Sequence, residues 1–302
     1  MQTSFRTQRF GRGATILRAR GSEPLALDQI EAQAPAVFAA AAHESRSARY
    51  TYIPTREVLT GLWNEGFRPF EVRQGGTEDE GRRGFAKHMI RLRRSGAAPV
   101  HVGDAAHEEV VISNAHDGTG SWQLFAGLWR LICSNGLIVA DSIVECIRIQ
   151  HRGNVVHEVI EGAYRIAASL PAVVESARQM GAVRLSSREQ LAFARAAAEL
   201  RWEPRAETPA LPAGPIAPER LLDTRRNADQ GSDLWRTFNR VQEGLLQGGQ
   251  RYDQVDGEGR VIARRRVRPV NGIDQNRQLN RALWTLAEEM RRIKSDEQAA
   301  AA

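Results

Sequence analysis

The sequence predicts an α+β fold: an antiparallel sheet packed by helices, with a helical region toward the C-terminal end. Three patterns carry that expectation. Phe67–Arg73 and Lys87–Arg94 alternate apolar with polar residues and Glu109–Asn114 is a β-branched run, the signature of strands with one buried face. Val58, Leu59, Leu62 and Trp63 recur at helical spacing just before those strands. Far downstream, Leu234, Phe238, Val241 and Leu245 form one helical stripe, and Leu279, Leu283, Leu286 and Met290 form another with the same spacing.

In chain order, positions 1–27 read as an irregular basic arm carrying Arg6, Arg9, Arg12, Arg18 and Arg20. Asp28-Gln29-Ile30-Glu31 has capping-box spacing for a first helix, which Pro35 interrupts. A second helix is expected from Pro54 or Thr55 to Asn64, and the three strands follow it. Gly75–Gly84 is a polar connection and Asp117-Gly118-Thr119-Gly120 a turn. Trp122, Phe125, Trp129 and Ile132 then suggest a helix from Ser121 to about Ser134, stopped by Asn135-Gly136 as a left-handed cap. Leu137–Gln150 reads as one bent strand or two short ones. Val155–Ser169 reads as a helix ending before Pro171, with Val156, Val159, Ile160, Ala163 and Ala167 on one face. Ser186-Ser187-Arg188-Glu189 opens another helix. Five of the twelve prolines fall in Glu203–Pro218, which divides the chain into an arm (1–27), an α+β core (28–202), a linker (203–218) and a helical C-terminal region (219–302).

Composition narrows the function classes. The 302 residues are 42% hydrophobic and 26% charged, ordinary for a chain with a buried core. No apolar run spans a bilayer, no apolar stretch follows the N-terminal arginines as in a secretory signal, and two cysteines in so long a chain do not make a disulfide scaffold. A reducing cytoplasm is the expected location. The net charge of +6 suits a polyanionic partner, and Lys87 and Lys294 are the only lysines, so nearly all positive charge is guanidinium. GC-rich coding explains arginine richness equally well, so that richness alone decides nothing.

Position is more informative than content. Arg82, Arg83, Lys87, Arg91, Arg93 and Arg94 place six positive charges in thirteen residues with no acid among them. On a strand, Arg91 and Arg93 share a face with Lys87, the form of a sheet that tracks a phosphate backbone. Arg260, Arg264, Arg265, Arg266 and Arg268 form a second acid-free cluster, expected on a loop. A solvated surface accounts for either cluster without a ligand. The aromatics of Trp122–Leu131 have the spacing of a buried face, while Phe67, Phe70 and Tyr50 are the better candidates for stacking on bases. Cys133, Cys146, His151 and His157 lack metal-site spacing. Asp117, Asp141, Glu145, Glu158 and His151 match no catalytic motif, so neither enzymatic chemistry nor a cofactor or metal is expected.

Leu131-Ile132-Cys133-Ser134-Asn135-Gly136-Leu137, Arg148-Ile149-Gln150-His151-Arg152-Gly153-Asn154 and Val159-Ile160-Glu161-Gly162 resemble the central signature of domain-of-unknown-function family 932, phage- and plasmid-like proteins of mobile elements. Leu234-Trp235-Arg236-Thr237-Phe238-Asn239, Gly248-Gly249 and Leu279-Asn280-Arg281-Ala282-Leu283-Trp284 extend that resemblance over most of the chain. The element order from Thr55 to Ser134 is also similar to the core of single-strand annealing proteins of the Erf, RecT and Redβ type. That second resemblance implies an oligomer holding single-stranded DNA in a basic groove and annealing strands without ATP. In that case the two arginine clusters would contact phosphate. The alternative is an element-encoded protein-interaction factor, acting in anti-defence or plasmid establishment.

Overall fold

A computed structural model describes residues 5–46, 52, 54–102, 104–130, 135–138, 146–149, 155–202 and 214–301. The fold is α+β. Nine strands form one sheet: β1 (Phe5–Arg9), β2 (Thr15–Ala19), β3 (Phe67–Gln74), β4 (His88–Arg94), β5 (Val100–Val102), β6 (Asp104–Asn114), β7 (Trp122–Arg130), β8 (Asn135–Ile138) and β9 (Ile147–Ile149). Their order is β1-β2-β3-β4-β6-β7-β8, with β5 beside β6 and β9 beside β7. The helices are α1 (Leu27–Gln33), α2 (Thr55–Asn64), α3 (Val155–Ala182), α4 (Ser187–Arg201), α5 (Leu234–Gln247) and α6 (Ile273–Ala301). Strands β10 (Arg251–Val255) and β11 (Val261–Arg266) form a separate antiparallel ribbon.

The chain divides into two compact units. One comprises 1–99, 107–129 and 136–171, the other 100–106, 130–135 and 172–302. The units interleave along the chain, and the long continuous part of the second begins at Ala172, ahead of the proline-rich stretch. Residues 203–213 of that stretch lie outside the described residues, but Ile216 and Pro218 beyond it are buried, and Pro218–Leu221 forms a 3-10 turn against α4 and α5.

In the first unit, Leu17, Val72, Ile90 and Ile112 stand in the core, as do Val58, Leu59 and Leu62 of α2. Helix α2 meets α3 at Gly61, where a Cβ would come within 2.9 Å of Ile160. At Gly162, α3 rides on β7 and β9, against Leu124 and Ile147. The expected strands of 67–73, 87–94 and 109–114 are β3, β4 and β6, with β6 extending upstream to Asp104.

Four local expectations are corrected. From residue 5 the arm is ordered: Thr15-Ile16-Leu17 is a buried stretch, β-branched at its first two positions, that pairs β2 to β3, and β1 folds back on it through a turn with Gly13 at φ +77°. The Trp122–Arg130 segment is a strand, not a helix. It is buried almost throughout, and a run apolar on both sides carries no period that separates strand from helix. Asn135-Gly136 accordingly begins β8 and does not cap a helix, while 131–134 lie outside the described residues. Finally, α3 continues through Pro171, which stays exposed while Leu170, Val173, Val174 and Ala177 keep the buried stripe in phase. Burial of that stripe outweighs the one backbone bond that proline removes.

The second unit holds the expected C-terminal helices. Ser186 opens α4 with a capping box to Glu189. Trp235 of α5 stacks on Phe238 at 5.5 Å, meets Trp284 of α6 edge-on, and donates its indole N–H to the Val102 carbonyl at 2.8 Å. Gln242 donates to Asn280 across the same helix pair. Helix α5 ends at Gly248, φ +60°, where a Cβ would lie 2.4 Å from the Val267 carbonyl oxygen. Gly248→Ala is therefore expected to cost about 2–4 kcal/mol, since both the positive φ and the close backbone approach resist a side chain. Urea unfolding of the variant beside the parent measures it, with Gly249→Ala, which meets nothing within 4 Å, as the milder control.

Candidate nucleic-acid interface

The 82–94 cluster separates into two kinds of residue. Arg82 and Arg83 sit in the 3-10 turn Glu80–Phe85, solvent-accessible, with Asp79 and Glu80 as respective partners at 3.2 and 3.9 Å. Lys87 is half-buried, and Arg94 is exposed over the Tyr164 ring. Arg91 and Arg93 are different: they are 0% and 7% exposed. Both donate through Nε to Glu109, at 2.5 and 2.8 Å, and Arg91 Nη2 also donates to the Leu137 carbonyl. Beside them Glu71 accepts from Nε of Arg18 and of Arg73, each at 2.5 Å. The Trp129 ring faces the guanidiniums of Arg18, Arg91 and Arg93 at 5.3–5.8 Å.

The arginine-lined sheet face is thus an interior ion-pair lattice, and a phosphate backbone passing over the surface does not reach Arg91 or Arg93. Glu71 and Glu109 have no place in the linear clusters. They neutralise arginines 2 to 53 positions away, and only the strand register brings them together. Burial alone would raise the Glu71 carboxyl, but Arg18, Arg73 and Arg91 outweigh it and hold its pKa at about 2. Phe67 is likewise buried, so it offers no base-stacking surface. Phe70 lies under Arg93 at 4.2 Å, and Tyr50 is outside the described residues.

The opposite face of the same sheet carries a polar cluster that no sequence motif announces. Thr55, at the start of α2, places Oγ1 3.2 Å from His88 Nε2 and 3.0 Å from His116 Nε2. His88 Nδ1 reaches the Ala86 carbonyl, so Nδ1–H is the donor there and the Thr55 hydroxyl donates to Nε2. Burial and the neighbouring His116 push His88 down to about 3. The unfolded chain takes up that proton near pH 6.5. Stability present above pH 6.5 is therefore lost as the pH falls toward 3, and Glu71 adds a loss between about 4.5 and 2. Urea midpoints should fall steadily from pH 7 to pH 4. His88→Gln should flatten that profile above pH 4.5 while leaving the Glu71 limb.

Of the second arginine cluster, expected on a loop, Arg264, Arg265 and Arg266 lie on strand β11, with Arg260 just before it and Arg268 just after. Arg251 faces Arg266 directly across the ribbon, Tyr252 faces Arg265, and Asp253 faces Arg264. Arg264, Arg265 and Arg266 are all exposed, as are Arg251, Arg260 and Arg268. Arg260 is paired with Asp256 and Glu258, and Arg264 leans toward Asp253 at 3.7 Å. Arg265 donates to Gln254. Arg251, Arg266 and Arg268 have no acidic partner among the described residues. Arg251, Tyr252 and Arg264–Arg266 line a shallow groove with Asp253, and near the turn Val261 and Ile262 are 56% and 58% exposed.

Among the described residues no helix is long and apolar enough to cross a membrane, and no group of three or more His, Cys, Asp or Glu is placed to hold a metal ion. No solved structure matches the chain. Two curated proteins of Escherichia coli (strain K12) do match: UPF0380 protein YafZ, 40% identical over 280 residues, and UPF0380 protein YfjQ, 39% identical over the same length. Each alignment covers 93% of this chain and 95% of the relative. The family model described as domain of unknown function (DUF932) matches residues 42–284, so the chain belongs to the DUF932 family.

Proposed function

We propose that the protein binds nucleic acid, single-stranded DNA in the first instance, through the β10–β11 ribbon. One observation carries the reading: Arg251 and Arg266 stand opposite each other on an exposed ribbon, with no acid among the described residues to neutralise them. Like charges directly across a strand pair are destabilising, and a phosphate between them turns that repulsion into two charge-assisted hydrogen bonds. Tyr252, half-buried beside Arg265, supplies a ring on which a base can stack. Arg82, Arg83 and Arg94 remain candidates for secondary phosphate binding, whereas Arg91 and Arg93 are withdrawn. Annealing of complementary strands by a cytoplasmic oligomer is the activity to which this reading extends.

Fluorescence anisotropy with labelled single- and double-stranded oligonucleotides at two salt concentrations tests it. Binding should favour the single strand and weaken with salt; no binding to either form ends the reading. A protein-interaction role is the second reading, favoured by the exposed Val261–Ile262 pair. In that case replacing both by serine abolishes partner binding while DNA is ignored.

A further inference from the structure

We infer that the charged face of the sheet contains an oxyanion site for a phosphate group, formed by the guanidiniums of Arg18, Arg73, Arg91 and Arg93. The first ground is charge balance. These four arginines share two carboxylates, Glu71 and Glu109, and no other acid joins the lattice among the described residues. Among the described residues the four arginines therefore carry two positive charges beyond those carboxylates, and Arg73, Arg91 and Arg93 are each at most 7% exposed. Buried charge requires a partner, and two units of excess match one phosphate dianion.

The second ground is how the donors are used. Every one of the four arginines points its Nε edge at a carboxylate. Among the described residues, only Arg91 Nη2 of their terminal amines is hydrogen-bonded, to the Leu137 carbonyl, and Arg91 Nη1 is fully buried with no partner. Trp129 packs against three of the guanidiniums, and the Nε bonds to Glu71 and Glu109 orient the forks that suit phosphate oxygens. The third ground is access. Arg6, Arg18, Glu71 and Arg91 occupy one row across β1 to β4. Along that row exposure falls from Arg6, which is exposed, through Arg18 at 25% to Arg91 at 0%. An anion enters from the β1 side, past Arg18. None of these residues belongs to the ribbon, so the inference stands apart from the ribbon reading.

The test is thermal unfolding of the full chain in inorganic phosphate and in chloride at matched ionic strength. Phosphate should raise the midpoint saturably and chloride should not. Arg18→Gln, at the rim, should need about tenfold more phosphate for half the effect. Should that variant not fold, Glu109→Gln gives the opposite sign: a larger excess of positive charge, and so a larger rescue by phosphate than in the parent. Equal responses to phosphate and chloride would overturn the site, as would an unchanged half-saturation in Arg18→Gln together with no extra rescue of Glu109→Gln. Competition by 5′-phosphorylated and 5′-hydroxyl oligonucleotides then identifies the source. A preference for the phosphorylated end assigns the site to a nucleic-acid terminus, and equal competition assigns it to free phosphate.

Discussion

Replacing Glu109 by glutamine is expected to lower the unfolding free energy by about 3–5 kcal/mol, the range for removing one partner of a buried ion pair. Both Glu109 and Arg91 have 0% side-chain exposure, and each Glu109 oxygen is committed, Oε2 to Arg91 and Oε1 to Arg93. Glutamine keeps one acceptor and turns an amide N–H₂ toward the other guanidinium, so a donor meets a donor in a site closed to water. Arg94→Gln, on β4 beside Arg91 and Arg93, is the control. Its side chain is exposed, and its removal should change stability by less than about 1 kcal/mol. Urea unfolding in chloride buffer measures both. A Glu109→Gln effect as small as that of Arg94→Gln would mean that the lattice is hydrated and that Arg91 and Arg93 are surface residues after all. A buried lattice of this kind is also replaceable: Arg91→Met combined with Glu109→Leu should recover part of the stability, because it removes both charges and leaves Arg93 the smaller problem.

The lattice marks where linear reading of this chain works and where it stops. Elements with a clear period are legible: Val58, Leu59 and Leu62 give α2, Ile90 and Leu92 give β4, and the Leu234 and Leu279 stripes give α5 and α6. Segments whose burial is set by distant partners are not. The 122–130 segment is buried on both faces, with α3 against Leu124 on one and the arginine lattice against Trp129 on the other, and its sequence alone fits a buried helix as well. Alternation places Arg91 and Arg93 on one face correctly, but it assigns that face to solvent. The acids that close it lie at Glu109 and, for the neighbouring arginines, at Glu71. The strings that carry the family resemblance behave in a similar way. Trp235, Phe238, Asn280 and Trp284 are packing and hydrogen-bonding residues inside one unit, so they identify the fold more directly than they identify a ligand.

Changing Arg264, Arg265 and Arg266 together to glutamine is expected to weaken single-strand binding on the order of 10- to 100-fold at moderate salt, with unfolding unchanged. The stability half of that expectation follows from exposure: all three side chains are exposed on strand β11 of the two-stranded ribbon. Relief of the Arg251–Arg266 opposition should offset removal of the loose Arg264–Asp253 pair. The binding half follows from counterion release. Each phosphate neutralised on a single strand contributes about 0.7 to the slope of log K against log salt, so removing three arginines should flatten the slope by about 2. With 5′-hydroxyl oligonucleotides, Arg91→Gln and Arg93→Gln should leave that slope intact, even where they lower stability, because a phosphate backbone on the surface does not reach either side chain. Anisotropy titrations of parent and variants at four salt concentrations separate the two contributions. Tyr252→Ala adds the final discrimination: without the ring on which a base stacks, affinity for a single strand should fall about 5- to 100-fold. The same change should do little for a duplex, whose bases are paired and closed. An equal weakening on both forms would instead point to a ribbon laid into a duplex groove, whose width admits two antiparallel strands.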